Sequence, residues 1–146
     1  MTFVLVFVIL VLDQLTKFIA QKTLLVNQSI PVIKGIFHLT LIYNRGGAFG
    51  IFKGQAILFI SMGIVASIFI LLNLKKVKHK RISLYSLSLG FILAGALGNL
   101  LDRLFLGYVV DFLDFRIWPV FNLADSSITI GALLLGWDIL IRKKKN

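Results

Sequence analysis

The sequence predicts an α-helical integral membrane protein, with four transmembrane helices and a small extracytoplasmic β-sheet or hairpin region. Three observations carry that expectation. Of its 146 residues, 58% are hydrophobic, and the mean hydropathy is +0.94. Four stretches approach the roughly 20 apolar residues that a helix needs to cross the hydrocarbon core. Nine of the sixteen basic residues gather in two runs, Lys75–Arg81 and Arg142–Lys145, each abutting an apolar stretch. All 146 residues fit one four-helix membrane unit with no separate domain.

The first helix is expected at about 3–20, interrupted by Asp13 and Gln14. It lacks a basic n-region and a convincing small-x-small cleavage site, so a retained helix is expected in preference to a cleaved signal peptide. Asp13 and Lys17 are spaced i, i+4, the arrangement of a helical salt bridge. Asp13 lies roughly 10 Å below the outer end of the helix, so it must face protein or water. The outer segment 21–55 follows. Within it Gly35–Tyr43 is β-branched, aromatic and partly alternating, as a strand is. Asn44-Arg-Gly-Gly47 reads as a turn before Ala48–Phe52 resumes.

The second and third helices, about 56–74 and 82–101, are the cleanest spans. The basic run between them belongs on the cytoplasmic side, which also puts both termini inside and segments 21–55 and 102–121 outside. Gly90, Ala94 and Gly98, like Ala132 and Gly136, are spaced by four, a packing pattern for close helices. The outer segment mixes Tyr108, Phe112, Phe115, Trp118 and Phe121 with charges, an interfacial composition. The fourth helix spans about 122–141. Asp138, beside Trp137 and Arg142, reads as an interfacial charge at its cytoplasmic end.

Composition excludes several chemistries. With no cysteine there is no disulfide, thiolate metal site or cysteine nucleophile. His38 and His79 stand alone, so neither a metal nor a cofactor is expected. The formal charge of +10 would suggest nucleic acid in a soluble protein. Its placement beside apolar segments marks cytoplasmic helix flanks and attraction to anionic membrane lipids instead.

All six acidic residues are aspartates, and Asp102, Asp111, Asp114 and Asp125 fall within 24 residues of each other. Carboxylates near lipid are expensive and mark function. Asn99, Asp102 and Arg103 share one face at the end of helix three, where Asp102 beside Arg103 invites an ion pair and a structural clasp. Asp114 reads as a solvated loop charge. Asp111 and Asp125 differ: the 13 residues between them can fold back and bring both to the membrane surface. From spacing alone Asp125 serves equally as half of a catalytic dyad or as a helix N-cap, with Asn122 competing for the cap. A small transporter and a non-catalytic scaffold are the rival classes.

Five motifs in register resemble lipoprotein signal peptidase, the bacterial signal peptidase II family of membrane aspartyl proteases. They are Asp13-Gln-Leu-Thr-Lys17, Asn44-Arg-Gly-Gly-Ala-Phe49, Gly95-Ala-Leu-Gly-Asn-Leu-Leu-Asp-Arg103, Val109-Val-Asp-Phe112 and Phe121-Asn-Leu-Ala-Asp-Ser126. The resemblance implies Asp111 and Asp125 as catalytic aspartates. It implies supporting or substrate-binding roles for Asp13, Lys17, Asn44, Gly46, Asn99, Asp102, Arg103 and Asn122. The implied activity is removal of the signal peptide from diacylglyceryl-modified prolipoproteins, cutting just before the lipidated cysteine. The implied setting is a monomer in the bacterial cytoplasmic membrane, with its active site at the extracytoplasmic face.

Overall fold

The computed structural model describes residues 1–46, 55–76 and 83–143. The expected strand Ala48–Phe52, the Gly47–Phe49 end of its motif, His79, and the Lys78–Arg81 and Lys144–Lys145 parts of the basic runs lie outside the described residues. Among these residues four helices and three strands follow in the order α1 (Thr2–Thr23), β1 (Ser29–Ile33), β2 (Phe37–Asn44), α2 (Ala56–Lys76), α3 (Leu84–Phe105), β3 (Val109–Asp114) and α4 (Leu123–Lys143). Each helix is long and apolar enough to span a membrane. At about 1.5 Å per residue, 22 residues reach roughly 33 Å.

Helix α3 is the hub: it packs against α1, α2 and α4 and buries over half of its apolar span, against about a fifth for each of the others. The outer helices bury one stripe each, such as Val6, Asp13, Lys17 and Ala20 on α1. Their remaining large apolar side chains point outward, as lipid-facing surfaces must. Small residues set the closest approaches. A Cβ at Gly98 would lie 2.5 Å from Asp13 Oδ2, and one at Gly131 would lie 2.7 Å from the Ser88 carbonyl oxygen. The Ala132–Gly136 stripe corrects the packing expectation: both residues are exposed, and nothing lies within 4 Å of a Cβ built at Gly136. The register of α4 turns Gly131, not Ala132, toward α3.

Helix α3 starts two residues later than expected, because Ser83 forms a capping box with Ser86. It also runs a full turn past 101, so Asp102 and Arg103 belong to the helix and not to the outer segment. Gly107, at φ 78°, ends it by donating to the Arg103 carbonyl oxygen at 3.2 Å. The chain then turns directly into β3.

The sheet is antiparallel in the order β1-β2-β3. The hairpin partner of the Gly35–Tyr43 segment therefore lies upstream, at Ser29–Ile33. The second partner is β3, which carries Asp111 opposite Ile42. Between the pairs Leu39–Leu113 and Ile42–Asp111, two β2 residues oppose one on β3, a bulge. Val110 and Phe112 turn inward to a core with Ala20, Leu24 and Leu41, while Val109 and Asp111 line a cavity on the other side. A second core joins Val6, Ile70, Leu74, Leu89, Leu93 and Ala94 lower in the bundle. At the far end of α4 Asp138 is buried and pairs with Arg142 at 2.8 Å.

Candidate active site at the sheet–helix junction

The site begins with one buried ammonium. Lys17, 2% exposed, meets Asp13 Oδ2 at 2.8 Å, Asp102 Oδ2 at 2.9 Å and Asn99 Oδ1 at 3.0 Å. Those contacts match the three donors a lysine has. The salt bridge from Asp13 to Lys17 forms as the spacing predicts; the ion pair between Asp102 and Arg103 does not. Adjacent residues on a helix point about 100° apart, so Asp102 turns to Lys17 while Arg103 turns away from it, to the Gly46 carbonyl oxygen and the Phe59 ring. Gln14 completes the cluster, donating to Asp102 Oδ1 at 3.0 Å and to the Gly98 carbonyl oxygen at 3.2 Å.

The two aspartates also fix the backbone of the neighbouring elements, Asp13 through its other oxygen and Asp102 through the oxygen that meets Lys17. The Ala124 N–H donates to Asp13 Oδ1 at 2.8 Å, which ties the start of α4 to α1. The Val110 N–H donates to Asp102 Oδ2 at 3.0 Å, which ties β3 to the end of α3. A buried network of charges is sustainable only when its members are satisfied in this way.

Two asparagines relay that frame to the outer carboxylates. Asn99 accepts from Lys17 and donates through Nδ2 to Asp125 Oδ1 at 2.8 Å. Asn122 donates through Nδ2 to Asp111 Oδ1 at 2.8 Å, and its Oδ1 accepts from the Asp125 N–H at 2.9 Å. The Asn122 N–H in turn faces Asp125 Oδ2 at 3.4 Å. This is a reciprocal cap: Asn122, and not Asp125, takes the N-cap role, which frees Asp125 to face the cavity. Asn122 therefore touches both carboxylates.

The other oxygen of Asp111 accepts from Asn44 Nδ2 at 3.0 Å, and the Gly46 N–H locks Asn44 by donating to its Oδ1 at 3.0 Å. Arg103 donates to the Gly46 carbonyl oxygen at 3.2 Å and to the Asn99 carbonyl oxygen at 3.3 Å, with its guanidinium 4.9 Å from the Phe59 ring centroid. Asp111 and Asp125 face one open cavity of about 1000 Å³ between β2, β3 and the start of α4. Burial and the charge of Asp125 push the Asp111 pKa up to about 7, against the opposing pull of Asn44, Lys17 and Asn122.

All ten site residues singled out in the sequence thus fall in one connected network. Asp114 does not fit the expected solvated loop charge. It is 4% exposed and accepts from Thr40 Oγ1 at 2.7 Å and from Arg116 Nη1 at 3.0 Å. Burial alone would raise its pKa, but those donors hold it below the usual carboxylate range. Gln14 and Thr40 were not singled out either. Gln14 lies inside the Asp13–Lys17 motif, which was a usable signal; Thr40 on a half-alternating strand gave none.

A family model described as Signal peptidase (SPase) II matches residues 5–141. The chain belongs to the signal peptidase II family. Its similarity to curated members extends over nearly full lengths. It is 50% identical over 135 residues to the lipoprotein signal peptidase of Halothermothrix orenii, covering 92% of both chains. It is 46% identical over 143 residues to that of Caldanaerobacter subterraneus, covering 97% of both. Two solved bacterial membrane enzymes, determined by the in meso method at 2.3 Å and 1.9 Å resolution, share the fold. The first superposes with a TM-score of 0.92 at 32% identity over 99% of this chain and 90% of its own. The second gives 0.83 at 33% identity over 95% and 92%. As a signal peptidase II family member with four apolar spans, the chain is a multi-pass membrane peptidase, the class its motifs pointed to.

Proposed function

We propose that this peptidase is an aspartyl endopeptidase that removes the signal peptide from diacylglyceryl-modified prolipoproteins, cutting just before the lipidated cysteine. The observation that carries the proposal is Asn122 bound to both Asp111 and Asp125 at the rim of one cavity. Two neighbouring carboxylates share a single proton across a working pH range. Burial and the charge of Asp125 raise the Asp111 pKa to about 7, so in this reading Asp111 is the holder of that proton below neutral pH.

In this reading Asp125 takes a proton from a bound water, whose oxygen attacks the scissile carbonyl carbon. Asp111 hydrogen-bonds the carbonyl oxygen as it becomes an oxyanion. When the tetrahedral intermediate collapses, the C–N bond breaks and the proton on Asp125 passes to the leaving amine. No covalent enzyme intermediate forms. Asn99, Asn44 and Asn122 aim the carboxylates, and the Lys17 cluster holds the helices that carry them.

Position supports the choice of substrate. The pair lies where α3 ends and α4 begins, at the membrane boundary, so acyl chains on a cysteine stay in the bilayer while the scissile bond reaches the carboxylates. The basic residues at the opposite helix ends, Lys75, Lys76, Arg142 and Lys143, support a reading with that end and both termini in the cytoplasm and the active face outside. The enzyme works as a monomer surrounded by membrane lipids and takes no nucleic-acid partner. The transporter alternative would need accessible carboxylates strung across the membrane, whereas Asp13 and Asp102 are sealed around Lys17.

The test is cleavage of one precursor in lipidated and unlipidated forms by wild type, Asp111→Asn and Asp125→Asn in detergent. The expected result is cleavage of the lipidated form alone, lost in both variants while they remain folded and inserted. Processing by either variant removes the dyad assignment.

A further inference from the structure

Beyond Asp111, strand β3 ends in an arrangement that the dyad does not use. Arg116 has φ 65°, a left-handed conformation that a non-glycine residue adopts only where its surroundings impose it. What imposes it is Asp114, which accepts from the Arg116 N–H at 2.8 Å and from Nη1 at 3.0 Å. Asp114 is itself fixed by Thr40 Oγ1, which also contacts Ser29 Oγ at 2.8 Å. The Arg116 side chain nevertheless stays 49% exposed. An exposed ion pair adds little stability, so a buried carboxylate, a buried threonine and a left-handed arginine exceed what such a pair requires. The assembly fixes where one guanidinium sits.

That guanidinium belongs to the dyad's cavity, which Asp114 and Arg116 line together with Asp111 and Asp125. At about 3.3 Å per residue, Asp114 is roughly 10 Å along β3 from Asp111, the reach of three extended substrate residues. Arg116 lies in the connection from β3 to α4, on the sheet side of the helix ends. A peptide bound at the dyad keeps its membrane half among the helices, so the half that leaves the membrane passes Arg116. Asp114 engages one of the five guanidinium N–H donors at Nη1, and the fork geometry matches a carboxylate.

We propose that Arg116, set in place by Asp114 and Thr40, is a specificity-determining residue that binds an acidic side chain of the substrate about three residues past the scissile bond. This rests on the dyad assignment above. The experiment uses three lipidated precursors that differ only at the third residue past the cut, carrying Asp, Asn or Lys. kcat and KM are measured in detergent for wild type and Arg116→Gly. Glycine takes positive φ freely and so keeps the turn while removing the guanidinium.

Wild type should show a KM about fivefold lower for the Asp precursor than for the Lys precursor, the upper end for an exposed charge pair. Arg116→Gly should reduce that ratio to about one, and Arg116→Lys should keep part of it. Equal KM values in wild type, or a ratio that survives in Arg116→Gly, overturn the proposal. So does a uniform fall in kcat for all three precursors, which marks a turn-building role alone. A preference that follows anionic lipid added to the micelle, and not the peptide, also overturns it. Asp111→Asn, assayed alongside, tests the dyad separately: it must abolish cleavage of all three precursors whatever Arg116 does.

Discussion

Lys17 donates to Asn99 Oδ1 at 3.0 Å, and that contact orients the amide facing Asp125. Lysine is a donor only, so the atom it meets must be the amide oxygen, which leaves Nδ2 to donate to Asp125 at 2.8 Å. One buried charge therefore sets the direction of a hydrogen bond at the carboxylate pair.

Replacing Lys17 with Met should be severe. It leaves Asp13 and Asp102 buried without their cation, a change that costs about 3–5 kcal/mol where a buried pair is broken. The Tm in detergent should fall accordingly. The double variant Lys17→Met, Asp102→Asn should recover part of the loss, because one fewer charge is stranded. A Lys17→Met protein that melts like wild type contradicts the account of this cluster.

Asn122 offers a separation of stability from chemistry. Asn122→Ala removes a helix cap, at a cost of about 1 kcal/mol, together with the donor to Asp111. Asn122→Ser retains a capping hydroxyl but cannot reach Asp111 as the longer amide does. Both variants should lose activity by as much as ~100-fold, the scale of a misplaced catalytic group, while the serine variant keeps most of the Tm. Full activity in Asn122→Ser would show that the bridge to Asp111 is dispensable.

Acidity should tune both rate and stability through Asp111. Its folded pKa is raised from 3.8 to about 7, so the folded state binds a proton more tightly than the unfolded chain does. That contribution is fully present below the unfolded pKa and is lost as pH rises toward and through about 7. Melting temperature should therefore decline across this interval in wild type and decline less in Asp111→Asn. The cleavage rate should fall on the alkaline side as the shared proton leaves. A rate that keeps rising well above pH 7 would exclude Asp111 as its holder.

Two glycines make a matched pair of tests. Gly98→Ala puts a methyl 2.5 Å from Asp13 Oδ2 and 3.2 Å from Ala124 Cβ, and should destabilise by about 1–3 kcal/mol. Gly136→Ala meets open space and should be neutral or slightly stabilising, since alanine favours helix. Thermal melts of the two variants in one detergent decide between tight packing and indifference at each position.

The four helices were legible because hydropathy is a local property, summed along a window. Asp13 with Lys17 was legible because an i, i+4 pair lies on one turn. The partners of Lys17 on α3 were not, since bonds across 82 and more residues leave no spacing signature. The ion pair expected between Asp102 and Arg103 failed on helical geometry that sequence adjacency hides. Strand β3 was read as an interfacial loop because its apolar residues are buried on both faces, which erases the alternation that betrays a strand. The burial of Asp114 leaves no local signal either, because its donors come from Thr40 on β2 and from a turn that only the folded chain forms. For Asp111 and Asp125 spacing left the dyad undecided, and it was the surrounding motifs that singled out the pair.

The outward edge of β3 has one more consequence. Val110 already gives its N–H to Asp102 and its carbonyl oxygen to Asn122, and the Phe112 N–H is bonded to the Phe121 carbonyl oxygen. An incoming peptide finds no open backbone ladder there to extend. It must be held by side chains around the cavity, so its register is set at a few contact points and not by a continuous ladder. A peptidase gripping its clients this way tolerates varied sequences at every position except the few that cavity side chains touch.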